Sequence, residues 1–163
     1  MGNELETAKK RAMYLLGARD YSSRELLEKL MKNYSKETCE EAVSQMKEYG
    51  YLDDRRYAGK LARKFVEVRK YGKNRAKMMM IQKGLSPSLA DEALSRYSAD
   101  DMVEEIRAVI EKKYMDRLSA DGTEGMKEMQ KVMAALARRG YGYEDIRKAV
   151  SLIREDAEFD EEW

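Results

Sequence analysis

The sequence predicts an all-α protein built of three tandem three-helix repeats that form an elongated, curved array. Three observations carry that expectation. Charged residues make up 39% of the 163-residue chain against a single proline and two phenylalanines, a composition of solvated helices rather than of strands. Nearly every segment spaces its apolar residues at helical intervals between recognisable start and stop signals. The pattern also matches itself when the chain is slid along itself by 50 to 56 residues.

The first repeat is expected over residues 1–50. Ala8, Ala12, Leu15 and Leu16 form one stripe of its first helix. Ser22, with Glu25 three residues later, makes a capping box for a second helix that offers Leu26, Leu27 and Leu30 to a core. The segment after Ser35 presents Cys39, Ala42, Val43 and Met46 at i, i+3, i+4 and i+7, then stops at Gly50.

The second repeat, 51–98, opens on "YLDD". Asp53 stands as helix cap, Leu52 and Tyr57 are placed as a hydrophobic staple, and Asp54 lies in the first turn near the positive end of the dipole. That helix is expected from Asp54 to about Lys70, with Tyr57, Ala58, Leu61, Ala62 and Phe65 inward. "KNRAKMMMIQKG" ends at Gly84, and Ser86 caps the next helix with Pro87 at its first position. The third repeat, 99–156, is expected to hold a helix from about Ala99 to Leu118, a loop "SADGTEG", a helix ending at Gly140 and a last helix from Tyr143. Residues 157–163 read as an acidic tail.

The internal match is specific in position. An offset of 56 pairs Gly84 with Gly140, Met80 with Leu136, Ala93 with Ala149 and Leu94 with Val150; an offset of 51 pairs Cys39 with Ala90, Ala42 with Ala93 and Val43 with Leu94. An offset of 50 pairs Tyr21 with Tyr71 and Leu30 with Met80, which leaves Asn33 as the expected left-handed residue where the first repeat has no glycine. Repeats of this kind contact mainly their neighbours and expose a long surface suited to binding along a partner.

Composition excludes several classes of chemistry. With no histidine and one cysteine, Cys39, histidine- or cysteine-based zinc sites, histidine acid–base catalysis and disulfides within the chain are ruled out. Neither a phosphate loop nor a G-x-G-x-x-G turn occurs, so no nucleotide hydrolysis and no cofactor is expected. There is no apolar run of about 20 residues, and the N-terminus lacks the apolar core of a signal peptide. The expectation is a reduced, cytoplasmic protein without a membrane partner. An enzymatic reading would rest only on Asp53, Asp54, Asp100 and Asp101, and no third acid, histidine or cysteine lies near the first pair in sequence; the chain is expected not to be an enzyme.

Near-neutral net charge conceals strong segregation. Between Arg55 and Lys83 eleven basic residues face one acid, Glu67, whereas Glu155 to Trp163 carries six acids and no base. A central anionic partner follows. Arg56, Lys60, Arg63, Glu67 and Lys70 recur at spacings of four and three along one helix face. The candidate partner- or DNA-binding residues are Arg56, Lys60, Arg63, Lys64, Arg69, Lys70, Lys73, Arg75 and Lys77, joined by Arg138 and Arg139, which serve either the dipole at a helix C-terminus or a partner. That partner is DNA phosphate, an acidic protein surface, or both.

Two further features have two readings each. Met78 in "KMMMI" packs on a neighbouring repeat or presents an adaptable thioether to a partner. Tyr21, Tyr34, Tyr49, Tyr51, Tyr71 and Tyr141 fall near helix junctions, where they pack or stack on bases.

Four stretches, "YLLGARDYSSRELLEKL" (14–30), "YGYLDDRRYA" (49–58), "RKYGKNRAKMMMIQKGL" (69–85) and "KVMAALARRGYGYEDIRKAV" (131–150), together resemble the RecX family, bacterial regulators of the RecA recombinase. Ala76 stands where a larger aliphatic is usual, Lys73 where proline is common, and Asn33 where the first repeat lacks its glycine. The resemblance implies a protein that docks in the helical groove of RecA filaments on single-stranded DNA and bridges neighbouring subunits. It implies restraint of filament growth, ATP hydrolysis, strand exchange and co-protease activity, within homologous recombination, DNA repair and the SOS response. Expected partners are the RecA filament and single-stranded DNA, with double-stranded DNA a further one, and the chain is expected to be a monomer. The alternative is a general helical DNA-binding module acting through its basic second repeat.

Overall fold

The computed structural model describes residues 2–118 and 122–161, and among these it contains ten α-helices, one π-helical turn and no strand. The helices are α1 (Gly2–Ala18), α2 (Ser23–Leu30), α3 (Lys36–Glu48), α4 (Asp54–Arg63), α5 (Lys73–Gln82), α6 (Pro87–Leu94), α7 (Ala99–Lys113), α8 (Met115–Leu118), α9 (Gly122–Arg138) and α10 (Tyr143–Glu161); the π-turn, Lys64–Val68, continues α4. The chain divides into two compact units. One comprises Met1–Leu61 with Met79–Ala93, the other Ala62–Met78 with Leu94–Trp163. Residues 51–98, expected as one repeat, contribute to both.

In the first unit α1 packs along α3, with its Ala8 and Ala12 fully buried in the core. Leu15, Leu26, Leu30, Cys39, Ala42, Val43, Met46 and Leu52 complete this core. Burying each larger side chain contributes roughly 1.5–3 kcal/mol. The anticipated caps are formed. Ser22 and Glu25 close a reciprocal capping box on α2, and Asp53 Oδ1 accepts from the Arg56 N–H at 3.2 Å. Asp54 has a different task from its neighbour: its Oδ1 accepts the Ser23 N–H at 2.8 Å and so caps the first turn of α2.

The C-terminus of α5 abuts the N-terminus of α2 within this unit. Ser22 Oγ donates to the Lys83 carbonyl at 2.6 Å, and a Cβ on Gly84 would stand 2.6 Å from that same Oγ. Gly84 also takes φ +98°. It closes α5 in a Schellman motif, with Gly84 N–H bonded to Ile81 O and Leu85 N–H to Met80 O.

The second unit repeats this joint with the corresponding residues. The Gly72 N–H donates to Arg139 O at 2.9 Å and the Asn74 N–H to Gly140 O at 3.2 Å, so the last carbonyls of α9 satisfy the first amides of α5. A Cβ on Gly72 would lie 2.2 Å from the Gly140 carbonyl carbon. The rest of this unit is built on α7 and α10, whose Met102, Val103, Ile106, Val109, Ile110, Ile146, Ala149, Val150 and Ile153 are buried together with Val132 and Leu136 of α9.

Several local expectations are corrected. Asn33 is not left-handed: the Asn33 and Tyr34 amides both fold back onto Leu30 O at 3.1 Å, and this right-handed ending needs no positive φ. Among the described residues the non-glycine residue that takes a positive φ is Lys70, at +58°. The helix expected to run from Asp54 to about Lys70 passes into the π-turn at Lys64 and ends at Val68. The expected helix 99–118 breaks at Tyr114, which frees Arg117 of α8 to reach Glu128 of α9 at 2.7 Å. Part of the loop expected over 119–125 is helical, since Gly122 begins α9 and Gly125 is buried in its first turn; residues 119–121 lie outside the described residues. Helix α10 itself continues to Glu161, and 162–163 lie outside the described residues.

Candidate functional site

The joint in the second unit gathers much of the positive charge singled out in the sequence. Lys70 holds the chain between the π-turn and α5 in the left-handed region, a conformation that costs a non-glycine residue roughly 1–2 kcal/mol. Three interactions retain it there. Its carbonyl accepts from Arg139 Nη1 at 3.2 Å and from Tyr141 Oη at 2.8 Å, and its ammonium is paired with Glu105 of α7. Arg139 Nη1 also lies 3.3 Å from the Arg69 carbonyl. Burial raises the pKa of the Tyr141 hydroxyl well above the usual tyrosine range, so it stays a donor to Lys70 at all ordinary pH.

Next to this joint Arg75 stacks on Tyr71, its guanidinium carbon 4.3 Å from the ring centroid, and Tyr71 in turn lies 6.1 Å from the Phe65 ring. Lys73 donates to the Tyr97 carbonyl. Glu67 is engaged through Oε2: Arg63 approaches it at 3.6 Å and the Tyr97 hydroxyl donates to it at 2.7 Å. Burial, then that carboxylate, push the Tyr97 pKa up to about 12.

The structure thus sorts the candidate cations of this unit by what they already hold. Arg63, Lys70, Lys73 and Arg139 serve internal bonds, Arg75 an aromatic ring, and Lys77 is also engaged. Among the described residues Lys64, Arg69 and Arg138 make no ion pair, and all three are exposed. Residues 69, 138 and 139 are brought to one place by the Gly72–Gly140 joint. The face expected at α-helical spacing from Arg56 to Lys70 does not reach Lys70, because the π-turn changes the phase after Arg63. In the first unit Arg56 is exposed beside a groove lined by Met13, Leu16, Gly17, Asp20, Gly50 and Tyr51, and Lys60 is paired with Asp20 at 3.1 Å.

Met78 is 63% exposed. The junction tyrosines divide: Tyr21 and Tyr141 are buried, Tyr34 and Tyr71 partly so, while Tyr49 and Tyr51 are half-exposed and meet edge to face at 6.1 Å. Gly72 and Glu105 were not singled out in the sequence, although the small residues Ser22 and Gly72, 50 positions apart and each followed by a helix, were a usable signal.

Such a structure defines a class: an all-α protein of tandem three-helix units with a basic surface at a joint between helix ends. Three family models match the chain in order, described as RecX first, second and third three-helix domains, over residues 8–46, 53–94 and 99–150. The chain is 32% identical over 151 residues to the "Regulatory protein RecX" of Vibrio campbellii, covering 92% of this chain and 94% of that protein. It is 31% identical over 157 residues to that of Vibrio cholerae, covering 96% and 99%. The crystal structure of RecX from Lactobacillus salivarius superposes with a TM-score of 0.87 at 19% identity, covering 94% of this chain and 99% of that one. The chain belongs to the RecX family of regulatory proteins.

Proposed function

We propose that this protein regulates the RecA recombinase by binding its filament on single-stranded DNA, occupying the helical groove and bridging neighbouring subunits. Bound there, it restrains filament growth, ATP hydrolysis, strand exchange and co-protease activity, acting as a cytoplasmic monomer with no chemistry of its own. The observation that supports this reading is the basic surface at the Gly72–Gly140 joint, where Arg69 and Arg138 stand exposed and without ion pairs among the described residues, as does Lys64 on the preceding π-turn, in a chain of the RecX family. Exposed cations without ion pairs suit the anionic groups of such a filament.

Addition of the purified protein is expected to slow DNA-dependent ATP hydrolysis by the cognate recombinase at comparable concentrations. An unchanged rate would overturn the proposal. The same cations would serve a general DNA-binding module, and tight, salt-sensitive binding to bare DNA with no effect on filaments would favour that second reading.

A further inference from the structure

Ala62, Phe65 and Val66 are buried, and Val68, three residues after Phe65, would remain at the edge of that apolar stripe in a regular α-helix. The π-turn removes it. The Arg69 N–H bonds to Lys64 O at 2.9 Å, an i to i+5 closure that accommodates one extra residue and rotates Val68 outward. At 72% exposure it is the most exposed large apolar side chain among the described residues. Lys64 lies one π-turn before it and Arg69 directly after, both exposed and without ion pairs among the described residues. Glu67, the sole acid between Arg55 and Lys83, turns its Oε2 to Arg63 and Tyr97 and forms no ion pair with either cation among the described residues.

We propose that Val68, with Lys64 and Arg69, is a docking knob for a protein surface: an apolar depression rimmed by carboxylates. Phosphates would satisfy the two cations but gain nothing from a branched aliphatic group set between them. A pocket that removes Val68 from water recovers the burial that the π-turn forgoes, and its acidic rim meets the charges on either side. The inference rests on the filament-binding reading and deepens it: the π-turn faces the protein component of the filament rather than its DNA.

The test uses the full chain, with binding to recombinase filaments on single-stranded DNA and to bare single-stranded DNA measured by fluorescence anisotropy at two salt concentrations. Val68→Ser is expected to weaken filament binding about tenfold, the scale of one buried aliphatic side chain, while leaving salt dependence and bare-DNA binding unchanged. Val68→Ile should retain filament binding, and Lys64→Ala with Arg69→Ala should weaken it and flatten its salt dependence. Circular dichroism of each variant checks that the helices persist. Filament binding by Val68→Ser equal to the parent would overturn the knob, and so would an equal loss on bare DNA, which would assign the surface to nucleic acid. Failure of the parent chain to bind filaments at all would instead overturn the filament reading and this inference with it.

Discussion

Gly72 and Gly140 meet backbone to backbone: the amide of Gly72 donates to the carbonyl just before Gly140, and a single Cβ on Gly72 would stand 2.2 Å from the Gly140 carbonyl carbon. No rotamer can relieve that clash, since the obstacle is main chain. A Cβ on Gly140, at φ +96°, would likewise stand 2.5 Å from the Arg75 backbone nitrogen, and Gly72→Ala and Gly140→Ala are each expected to lower stability by on the order of 3 kcal/mol. Gly50→Ala is the control. Gly50 has φ +81° but open space around it, so its substitution should cost only about 1 kcal/mol of backbone strain. Urea denaturation of the three variants ranks them directly.

The adjacent acids Asp53 and Asp54 stabilise different helices, α4 and α2. Each change to Ala is expected to cost about 1 kcal/mol, the scale of a lost cap. Thermal unfolding measures the loss. Inhibition of recombinase ATP hydrolysis at a temperature where both variants are folded should equal that of the parent chain, and a selective loss of inhibition would revive a functional role for the pair.

Charge removal should separate two groups of cations. Arg69→Ala and Arg138→Ala are expected to leave the melting temperature within about a degree, because surface groups of this kind contribute little to stability. Lys70→Ala and Lys73→Ala should lower it measurably, since each loses a bond that fixes the joint. Differential scanning calorimetry distinguishes the groups.

Alkaline stability follows from the tyrosines. Tyr57 and Tyr97 each have a pKa raised from 10.0 to about 12, chiefly by burial. A folded-state value above the unfolded one contributes stability that is complete below pH 10 and is lost as the pH climbs toward 12. The protein should therefore lose stability across that window. Absorbance titration of the phenolate band should show part of the tyrosine signal delayed to the same range, and Tyr97→Phe should remove one tyrosine from the delayed fraction.

Much of this fold was legible in the sequence because its determinants are local. The caps of Ser22 with Glu25 and of Asp53, and the helix stops at Gly50, Gly84 and Gly140, are set within a few residues, and the stripes through Leu26 and Leu30 or Met102 and Ile106 need only helical periodicity. Missed features depend on distant partners. The π-turn and the left-handed Lys70 exist because Arg139, Tyr141 and Glu105 hold that bend from 35 to 71 residues away. Helical spacing alone therefore grouped Lys70 and Lys73 with Lys64 as surface cations. The structure distinguishes them by their bonds.

Asp54 also bears on how this molecule can be dissected. A fragment ending at residue 50 keeps α1 to α3 but loses both the carboxylate that caps Ser23 and the Lys83 carbonyl that receives Ser22. A fragment of residues 51–98 likewise parts Gly72 from Arg139 and Gly140. The repeat borders thus part hydrogen-bonded neighbours from one another. Truncations made at the repeat borders would report the exposure of broken joints before they reported the activity of any one repeat.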